Sequence, residues 1–411
     1  MLNWANRFNI CCLLDNHQYN LSHHHYECIV AAGSLKSVRA QAGHALQQLQ
    51  SFIDSQNDWI FGHLSYDLKN EVEELYSNGN DAIQFPDLFF FVPEIILQLD
   101  EGKLSVGSYD GDHAKIYQEV MDCDSTGSSF APQQINIKSK ISREQYIDTI
   151  KKLQLHILRG DCYEINFCQE FYADDVLIDP ITTYHSLSNA SPNPYSAFYK
   201  LEDKFLLCAS PERYLKKTGP HILSQPIKGT WERNINNKEE DELNRNLLSS
   251  STKDRSENVM VVDLVRNDLS KVCIEGSVKV DELFGIYQFP QLYQMISTVS
   301  GRLNPDISIS EILRATFPMG SMTGAPKKKV MELIEQYEVT RRGIFSGTIG
   351  YISPEKDFDF NVVIRSIMYN SANRYLSFQA GSGITFYSDP AAEYNECLLK
   401  AMAIKKVLAG G

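Results

Sequence analysis

The sequence predicts an α+β protein whose antiparallel β-sheets pack as a sandwich with helices on the outside. Its 411 residues, 43% of them hydrophobic, can bury a large core. Short runs rich in aromatic and β-branched residues follow one another at hairpin-like spacing, which favours antiparallel pairing over strict βαβ alternation. Between them lie longer segments with apolar residues every three or four positions, as in helices that pack one face against a sheet.

One shift in composition divides the chain. Residues 123–140 include a Ser-Thr-Gly-Ser-Ser run, a proline and paired glutamines, which is typical of a linker or an exposed loop. We therefore expect residues 1–122 to be an N-terminal part that contributes to the same fold. Residues 141–408 form the part that carries the motifs with chemical meaning.

A well-marked helix is predicted directly after this linker. Ser142 and Gln145 have the spacing of a capping box, and Gly160 is a typical residue for ending a helix. Ile150 and Leu158 continue an apolar face between these boundaries.

The other elements follow from the same two periodicities. Strands are predicted near 163–171 and at 205–209, 345–352, 360–369 and 375–380. Helices are predicted at 241–249, 256–269, 309–316, 325–337 and 390–407. A glycine-rich turn precedes the fourth of these helices, in which Thr323 or Gly324 could cap the helix and Pro326 suits its first turn.

The charge balance limits the possible partners. The formal net charge is −13, so no nucleic-acid partner is expected, because phosphate binding requires a basic surface. A small anionic substrate needs only a local cationic pocket. The early apolar run at residues 10–14 is too short for a signal peptide or a membrane span, so we expect no membrane association and a cytoplasmic location.

Three glutamates are candidate metal ligands. Glu393 and Glu396 lie three positions apart on the helix predicted to start at Pro390, so they share a face. Glu257 stands at the head of an apolar segment. Mg2+ prefers oxygen ligands and is usually held by a few carboxylates. The alternative is that Glu393 only complements the helix dipole.

Lys228 and Glu212 are candidate catalytic residues. Lys228 stands between Pro226 and the pair Gly229-Thr230, and in isolation it would be an ordinary surface lysine. Lysine becomes a nucleophile when burial or a nearby cation lowers its pKa. Glu212, in a Ser-Pro-Glu-Arg motif, could act as a general acid if its surroundings raise its pKa.

Arg365 is a candidate anion-binding residue. The predicted strand would place it on the same face as Val363 and Ile367. A guanidinium in apolar surroundings needs a carboxylate partner. Either a protein Asp or Glu or a substrate carboxylate could provide it.

Taken together, these segments resemble the chorismate-utilising family, which includes anthranilate, isochorismate, salicylate and aminodeoxychorismate synthases. The resemblance implies the chorismate-binding fold of anthranilate synthase component I. The matching stretches are GDCYEINFCQ at 160–169, SPER at 210–213, PIKGT at 226–230, DRSEN at 254–258, DLVRND at 263–268, GSMTGAPK at 320–327, GTIGY at 347–351, Arg365, GSG at 381–383 and Lys400.

Within the family, the residue at position 228 separates the members. Lys228 resembles aminodeoxychorismate synthase component I, whereas anthranilate synthases usually have alanine there; Asn166 and Gln169 favour the same member. The resemblance implies conversion of chorismate and ammonia to 4-amino-4-deoxychorismate in folate biosynthesis. Lys228 would add at C2 while Glu212 protonates the departing 4-hydroxyl.

The resemblance also implies a cofactor, a set of binding residues and a partner. The cofactor is Mg2+, held by Glu257 and Glu396, with Glu393 directly or through water. A separate glutamine amidotransferase subunit is expected to supply ammonia, because no cysteine lies in a glycine-rich nucleophile turn. The implied chorismate-binding residues are Thr230, Arg365, Gly381, Gly383 and Lys400.

Three competing functions and two departures from the family pattern remain. The competing functions are anthranilate synthase component I, a catalytically silent scaffold subunit, and a metal-dependent phosphohydrolase that uses the same carboxylates. Gln294 stands where relatives usually have histidine, and Phe345 where many have tyrosine. Gln294 keeps polarity but cannot act as an acid or base, and Phe345 lacks a hydroxyl that could bond to the substrate carboxylate, so both departures could change rate or specificity.

Overall fold

The computed structural model describes residues 1–19, 26–109, 111–123, 135–289 and 292–409. Residues 124–134 of the predicted linker therefore lie outside the described residues. In the part of the chain that is described, no helix is long and apolar enough to cross a membrane.

The strands and helices have the following bounds. The strands are β1 (Ile10–Asp15), β2 (Cys28–Ala32), β3 (Lys36–Ala40), β4 (Ile60–Leu64), β5 (Leu88–Val92), β6 (Ile95–Asp100), β7 (Lys103–Ser108), β8 (Lys138–Ser139), β9 (Glu164–Ala173), β10 (Tyr195–Leu201), β11 (Lys204–Ser210), β12 (Arg213–Thr218), β13 (His221–Gln225), β14 (Ile227–Glu232), β15 (Lys279–Gln288), β16 (Leu292–Arg302), β17 (Gly324–Ala325), β18 (Thr348–Ile352), β19 (Phe358–Asn361), β20 (Ser366–Asn370) and β21 (Tyr375–Ile384). The helices are α1 (Leu2–Ala5), α2 (Ala45–Asp54), α3 (Lys69–Val72), α4 (His113–Met121), α5 (Arg143–Arg159), α6 (Pro180–Ala190), α7 (Lys238–Ser250), α8 (Thr252–Ser270), α9 (Ile309–Thr316), α10 (Lys327–Tyr337) and α11 (Pro390–Leu408).

These strands form two large sheets in which the ladders between named strands are antiparallel. The first sheet has the order β17-β9-β21-β20-β11-β10-β1-β2-β6-β7, with β8 also paired to β9. The second has the order β14-β16-β13-β12-β19-β18-β4-β5-β3, with β15 also paired to β16. Strands of the N-terminal part pair directly with strands of the rest of the chain: β1 pairs with β10, and β4 with β18.

The first sheet is buried on both faces, which confirms the predicted sandwich with helices outside. Neighbouring residues of β11 show this, because Leu206 belongs to the core shared with the second sheet and Leu207 to the core on the opposite face. The opposite core also contains residues of α5, α10 and α11. Helices therefore cover the outer face of this sheet.

Local signals place several helix boundaries correctly. Helix α5 has the predicted capping box between Ser142 and Gln145, and Gly160 ends it in the left-handed region at φ 84°. The burial of Leu158 was predicted wrongly, since this residue is 65% exposed. At 100° per residue, Leu158 lies roughly 120° around the helix from the buried Tyr146.

The start of α10 differs from its prediction. Pro326 occupies the N-cap position, outside the helix that begins at Lys327. Gly324 and Ala325 instead pair with Ile165 and Glu164 as the short strand β17. The backbone of Gly324 and Ala325 is hydrogen-bonded in the sheet, and neither Thr323 nor Gly324 caps α10.

The strand predicted at 360–369 is two strands in different sheets. Strand β19 ends at Asn361 in the second sheet, and β20 begins at Ser366 in the first. Arg365 lies in the crossing between them, with φ 53°. The prediction that Arg365 lies on a strand beside Val363 and Ile367 is therefore wrong. The strand predicted to begin at Phe345 begins only at Thr348.

Candidate active site

A cavity of about 380 Å³ collects nearly all of the predicted site residues. It is lined by side chains or backbone from β14, β21, α8 and α11, together with the two chain crossings described next. The predicted residues that line it are Lys228, Glu212, Thr230, Arg365, Gly381, Gly383, Lys400, Glu257 and Glu396. Glu393 does not line the cavity. It forms an ion pair with Lys253, and Lys253 does line the cavity.

Two crossings of the chain between the sheets position Glu212 and Arg365. Glu212 lies between β11 of the first sheet and β12 of the second, and Arg365 lies between β19 and β20. The crossings are hydrogen-bonded to each other: the Val362 amide donates to the Glu212 carbonyl at 3.0 Å, and the Ala209 amide donates to the Arg365 carbonyl at 3.2 Å. Pairing of the neighbouring strands therefore holds both residues at one end of the sandwich.

The Lys228 amine forms a buried ion pair with Glu164. The two side chains are 9% and 3% exposed. Burial alone would lower the pKa of Lys228, but the carboxylates of Glu164, Glu257 and Glu212 raise it above its ordinary value. The condition for a nucleophilic lysine, a lowered pKa, is therefore not met in this arrangement, because three carboxylates lie close to the amine. These charges favour the ammonium form of Lys228.

Glu212 meets the condition set for a general acid. Its side chain is buried, and burial raises its pKa to about 7, although the Ser321 hydroxyl and the charge of Lys228 oppose the shift. A substantial fraction of Glu212 is therefore protonated at neutral pH.

The three predicted metal ligands converge on the ammonium group of Lys253. Its Nζ lies 3.0 Å from Glu393 Oε1, 3.4 Å from Glu396 Oε2 and 3.9 Å from Glu257 Oε1. Lys253 lies one turn before Glu257 on α8, and the other two glutamates lie on α11. The cluster thus joins two helices through the ammonium group of Lys253.

The chemistry of this cluster fits a hard cation. Glu257 Oε1 and Glu393 Oε2 are buried and have no hydrogen-bond partner among the described residues. Burial also raises the pKa of Glu257 to about 7, which a nearby divalent cation would reverse. Across the described ranges, no three His, Cys, Asp or Glu side chains form a ready-made metal group, and Lys253 occupies the space near these three carboxylates. A metal ion requires the ammonium to move away.

Lys400 and Arg365 are the other cationic groups of the cavity. Lys400 pairs with Glu396 at 2.9 Å, donates to the Gly381 carbonyl at 3.1 Å and holds the pKa of Glu396 at about 2. No hydrogen bond or ion pair joins the Arg365 guanidinium to a described residue; burial lowers its pKa, and the charge of Glu396 opposes that shift. The Glu396 carboxylate thus acts on this partly buried guanidinium through its charge, without forming an ion pair with it.

Gly383 allows the Lys228–Glu164 pair to fit beneath β21. A Cβ atom at this position would lie 2.6 Å from Glu164 Oε1 and 2.9 Å from Lys228 Nζ. Gly383 pairs with Asn166 on β9, so its backbone lies directly beside the strand that carries Glu164. Any side chain here would displace the ion pair.

Comparison with known proteins identifies the family. The family model for chorismate binding enzymes matches residues 8–406. The chain belongs to this family. It is 35% identical over 345 residues to aminodeoxychorismate synthase component 1 of Klebsiella aerogenes, covering 84% of this chain and 75% of the relative. It is 32% identical to the Bacillus subtilis protein of the same name, covering 84% of this chain and 76% of the relative. It is 30% identical to anthranilate synthase component 1 of Aquifex aeolicus, covering 85% of this chain and 74% of the relative.

Solved structures of the family share this fold. Anthranilate synthase component I of Streptococcus pneumoniae matches with a TM-score of 0.82 and 25% identity, covering 94% of each chain. The menaquinone-specific isochorismate synthase of Escherichia coli matches with a TM-score of 0.79 and 16% identity, over 99% and 91% of the two chains. The predicted fold of anthranilate synthase component I is confirmed, and the chain is a chorismate-utilising enzyme.

Both departures from the family pattern lie in this cavity. Gln294 is 1% exposed, pairs in register with Thr230, and has an Oε1 atom without a hydrogen-bond partner in the described part of the chain. Phe345 is 2% exposed and also lines the cavity. Each therefore presents different chemistry to a ligand than the residue usual in relatives.

Two charged residues of the site were missed in the sequence. Glu164 lies inside the family motif at 160–169, and Lys253 directly precedes the motif at 254–258. Their position beside motif residues was a usable signal. Their partners, however, lie 64 and 140 residues away, at Lys228 and Glu393.

Proposed function

We propose that this chorismate-binding enzyme is an aminodeoxychorismate synthase component I, which converts chorismate and ammonia to 4-amino-4-deoxychorismate. The observation that carries the proposal is that the Lys228 amine lies in the same cavity as Glu212. Burial raises the pKa of Glu212 to about 7. The relatives named aminodeoxychorismate synthase component 1 support it.

In this proposal, Lys228 and Glu212 divide the chemistry. The lysine nitrogen adds at C2 of chorismate, the ring double bonds shift, and the C4–O bond breaks. Glu212 gives its proton to the departing 4-hydroxyl, which leaves as water. Ammonia then adds at C4 and expels the lysine nitrogen.

The cationic groups of the cavity hold the substrate. The Arg365 guanidinium, unpaired among the described residues, suits bidentate binding of a carboxylate. Thr230, Lys400 and the backbone near Gly381 and Gly383 complete the binding surface. Fixing the diene beside the lysine supplies a large part of the rate acceleration.

Mg2+ is the proposed cofactor. Glu257 and Glu396 would hold it, with Glu393 directly or through water, and the bound ion would neutralise negative charge on the substrate carboxylate. The unpartnered oxygens of Glu257 and Glu393 within the described residues support this assignment. Lys253 would then turn away from the cluster.

The proposed source of ammonia is a separate glutamine amidotransferase subunit. Within the described residues, the free cysteines other than Cys123 are buried, so they are poorly placed as exposed nucleophiles for glutamine hydrolysis. Ammonium salts should replace this partner in the test tube.

Product analysis tests the proposed function. The purified chain is incubated with chorismate, Mg2+ and an ammonium salt, and products are separated by chromatography with mass detection. We expect 4-amino-4-deoxychorismate, which an added lyase converts to 4-aminobenzoate. Anthranilate formed without the lyase would overturn the proposal in favour of anthranilate synthase.

The same assay tests whether the chain is a scaffold subunit or a phosphohydrolase. A scaffold subunit would leave chorismate unchanged, and a phosphohydrolase would release phosphate from phosphate esters without consuming chorismate. Replacing Lys228 with alanine should abolish amination while chorismate still binds. Unchanged amination in both Lys228→Ala and Glu257→Gln would assign the activity to other residues.

A further inference from the structure

We infer that Glu164 is a catalytic residue that takes the proton of Lys228 before the lysine attacks and returns it when the lysine leaves. This inference rests on the proposed amination of chorismate. It assigns a role to a carboxylate that does not line the cavity yet contacts the nitrogen that reacts.

The contact between the two groups is direct and enclosed. Glu164 Oε1 accepts a hydrogen bond from Lys228 Nζ, and the side chains are 3% and 9% exposed. Glu164 is fixed on β9, where its backbone pairs with Ala325 of β17. Gly383 closes the pair from a third strand, with no room for a Cβ atom. Bulk water therefore has poor access to the proton between them.

The resting ammonium needs an acceptor, because a protonated amine has no lone pair with which to attack. The groups that act on Lys228 are Glu164 of β9, Glu257 of α8 and Glu212 at the sheet crossing. Glu212 supplies a proton to the departing hydroxyl, so it cannot accept one in the same step. Glu257 faces Lys253 at 3.9 Å and belongs to the cation cluster. Glu164, which is hydrogen-bonded to Lys228 Nζ, is therefore the group left to accept the proton.

Protons and charges balance in the first half-reaction. The Lys228 ammonium gives one proton to the Glu164 carboxylate, and the neutral amine forms the bond to C2. The C4–O bond breaks, and the proton of Glu212 joins the departing hydroxyl to form water. The result is a secondary ammonium at C2, a protonated Glu164 and an ionised Glu212.

The second half-reaction restores the starting state. Ammonia forms the bond to C4 as the C2–N bond breaks, and Lys228 leaves as a neutral amine. Glu164 returns its proton to that amine, and Glu212 takes one proton from the new C4 ammonium group. Each turnover thus consumes chorismate and ammonia, releases water and the amine product, and leaves both glutamates as they began.

The variant Glu164→Gln tests this role. It preserves shape but cannot accept the proton, so we expect the kcat of amination to fall about 10²-fold at neutral pH with unchanged affinity for chorismate. Below about pH 7 the remaining rate should rise with pH, because Lys228 must then lose its proton to solvent; above it, loss of the Glu212 proton should level the profile. Glu170→Gln is the matched control, since Glu170 is buried on the same strand and bonds to Tyr375 instead.

Chemical rescue separates proton transfer from a structural role. Glu164→Ala leaves a space beside Lys228, and added formate should restore part of its amination rate. Activity in Glu164→Gln equal to the wild type across the pH range, or no rescue of Glu164→Ala by formate, would overturn the inference. Thermal unfolding of each variant shows whether it is folded.

The wild-type product distinguishes the two levels of failure. If the wild type makes anthranilate, the proposed function fails whatever the variants do. If it makes 4-amino-4-deoxychorismate and Glu164→Gln is fully active, only the role of Glu164 fails.

Discussion

Replacing Lys253 with methionine should weaken the metal-free protein and strengthen its binding of Mg2+. Lys253 Nζ lies 3.0 Å from Glu393 Oε1, and the Glu393 side chain is 1% exposed. At an effective dielectric constant of about 20, this separation corresponds to an attraction of about 5 kcal/mol. The Lys253 side chain is 49% exposed. Solvent screening therefore reduces the expected loss of unfolding free energy to about 1–2 kcal/mol.

The same substitution removes the group that competes with a metal ion for the three carboxylates. If the free energy of Mg2+ binding becomes more favourable by the same amount, about 1–2 kcal/mol, the Kd for Mg2+ is roughly tenfold lower in Lys253→Met. Urea unfolding with EDTA or Mg2+ and titration calorimetry measure both effects. Lys152→Met is the matched control: Lys152 is 54% exposed, but its partner Asp148 is 61% exposed, so little change is expected. Equal stabilisation of the wild type and Lys253→Met by Mg2+ would refute the idea that lysine holds the place of a cation.

Three further predictions concern catalysis. Amination should decline as pH rises through about 7, because burial raises the pKa of Glu212 and only its protonated form can act as an acid; the pH profile should lose this limb in Glu212→Gln. Arg365→Lys should raise the KM for chorismate about tenfold or more with a smaller effect on kcat, since lysine cannot bind a carboxylate bidentately; steady-state kinetics separate the two. Gly383→Ala should lower kcat more than the unfolding temperature, because its Cβ would meet Glu164 Oε1 at 2.6 Å and Lys228 Nζ at 2.9 Å; unchanged kinetics would show that the pair can move without cost.

Local chemistry made the helix boundaries predictable. The capping box of Ser142 and Gln145 acts within one turn, and Gly160 adopts its left-handed conformation whatever the rest of the chain does. Helix α9, predicted at 309–316, has those bounds in the structure. Each of these features depends on residues close in sequence.

Long-range partners decide the features that sequence patterns missed. The apolar run at 360–369 is consistent with one strand, but its first residues pair with β12 in one sheet and its last with β11 in the other. Only this exchange between sheets places Arg365 in the cavity. The family resemblance singled out Arg365, which does line the cavity, whereas the periodicity predicted an extended conformation that this residue does not have.

The raised pKa of Lys228 shows the same limit for electrostatics. Burial of a lone lysine lowers its pKa, and the sequence alone offers no reason to expect otherwise. A sequence does not show that Glu164, Glu212 and Glu257 are buried with it, and their charges reverse the sign. The pKa of a buried group depends on which charges fold in around it.

The charge balance of the cavity suits the entry of an anion into an acidic protein. Burial raises the pKa of both Glu212 and Glu257 to about 7, so at neutral pH these carboxyls carry only part of their charge. Arg365 meanwhile forms no ion pair with a carboxylate of the described chain, although the charge of Glu396 acts on it. An incoming substrate carboxylate therefore meets an available guanidinium and partly neutral acids. The burial that keeps part of Glu212 protonated at neutral pH thus also lowers the electrostatic cost of binding a negatively charged substrate.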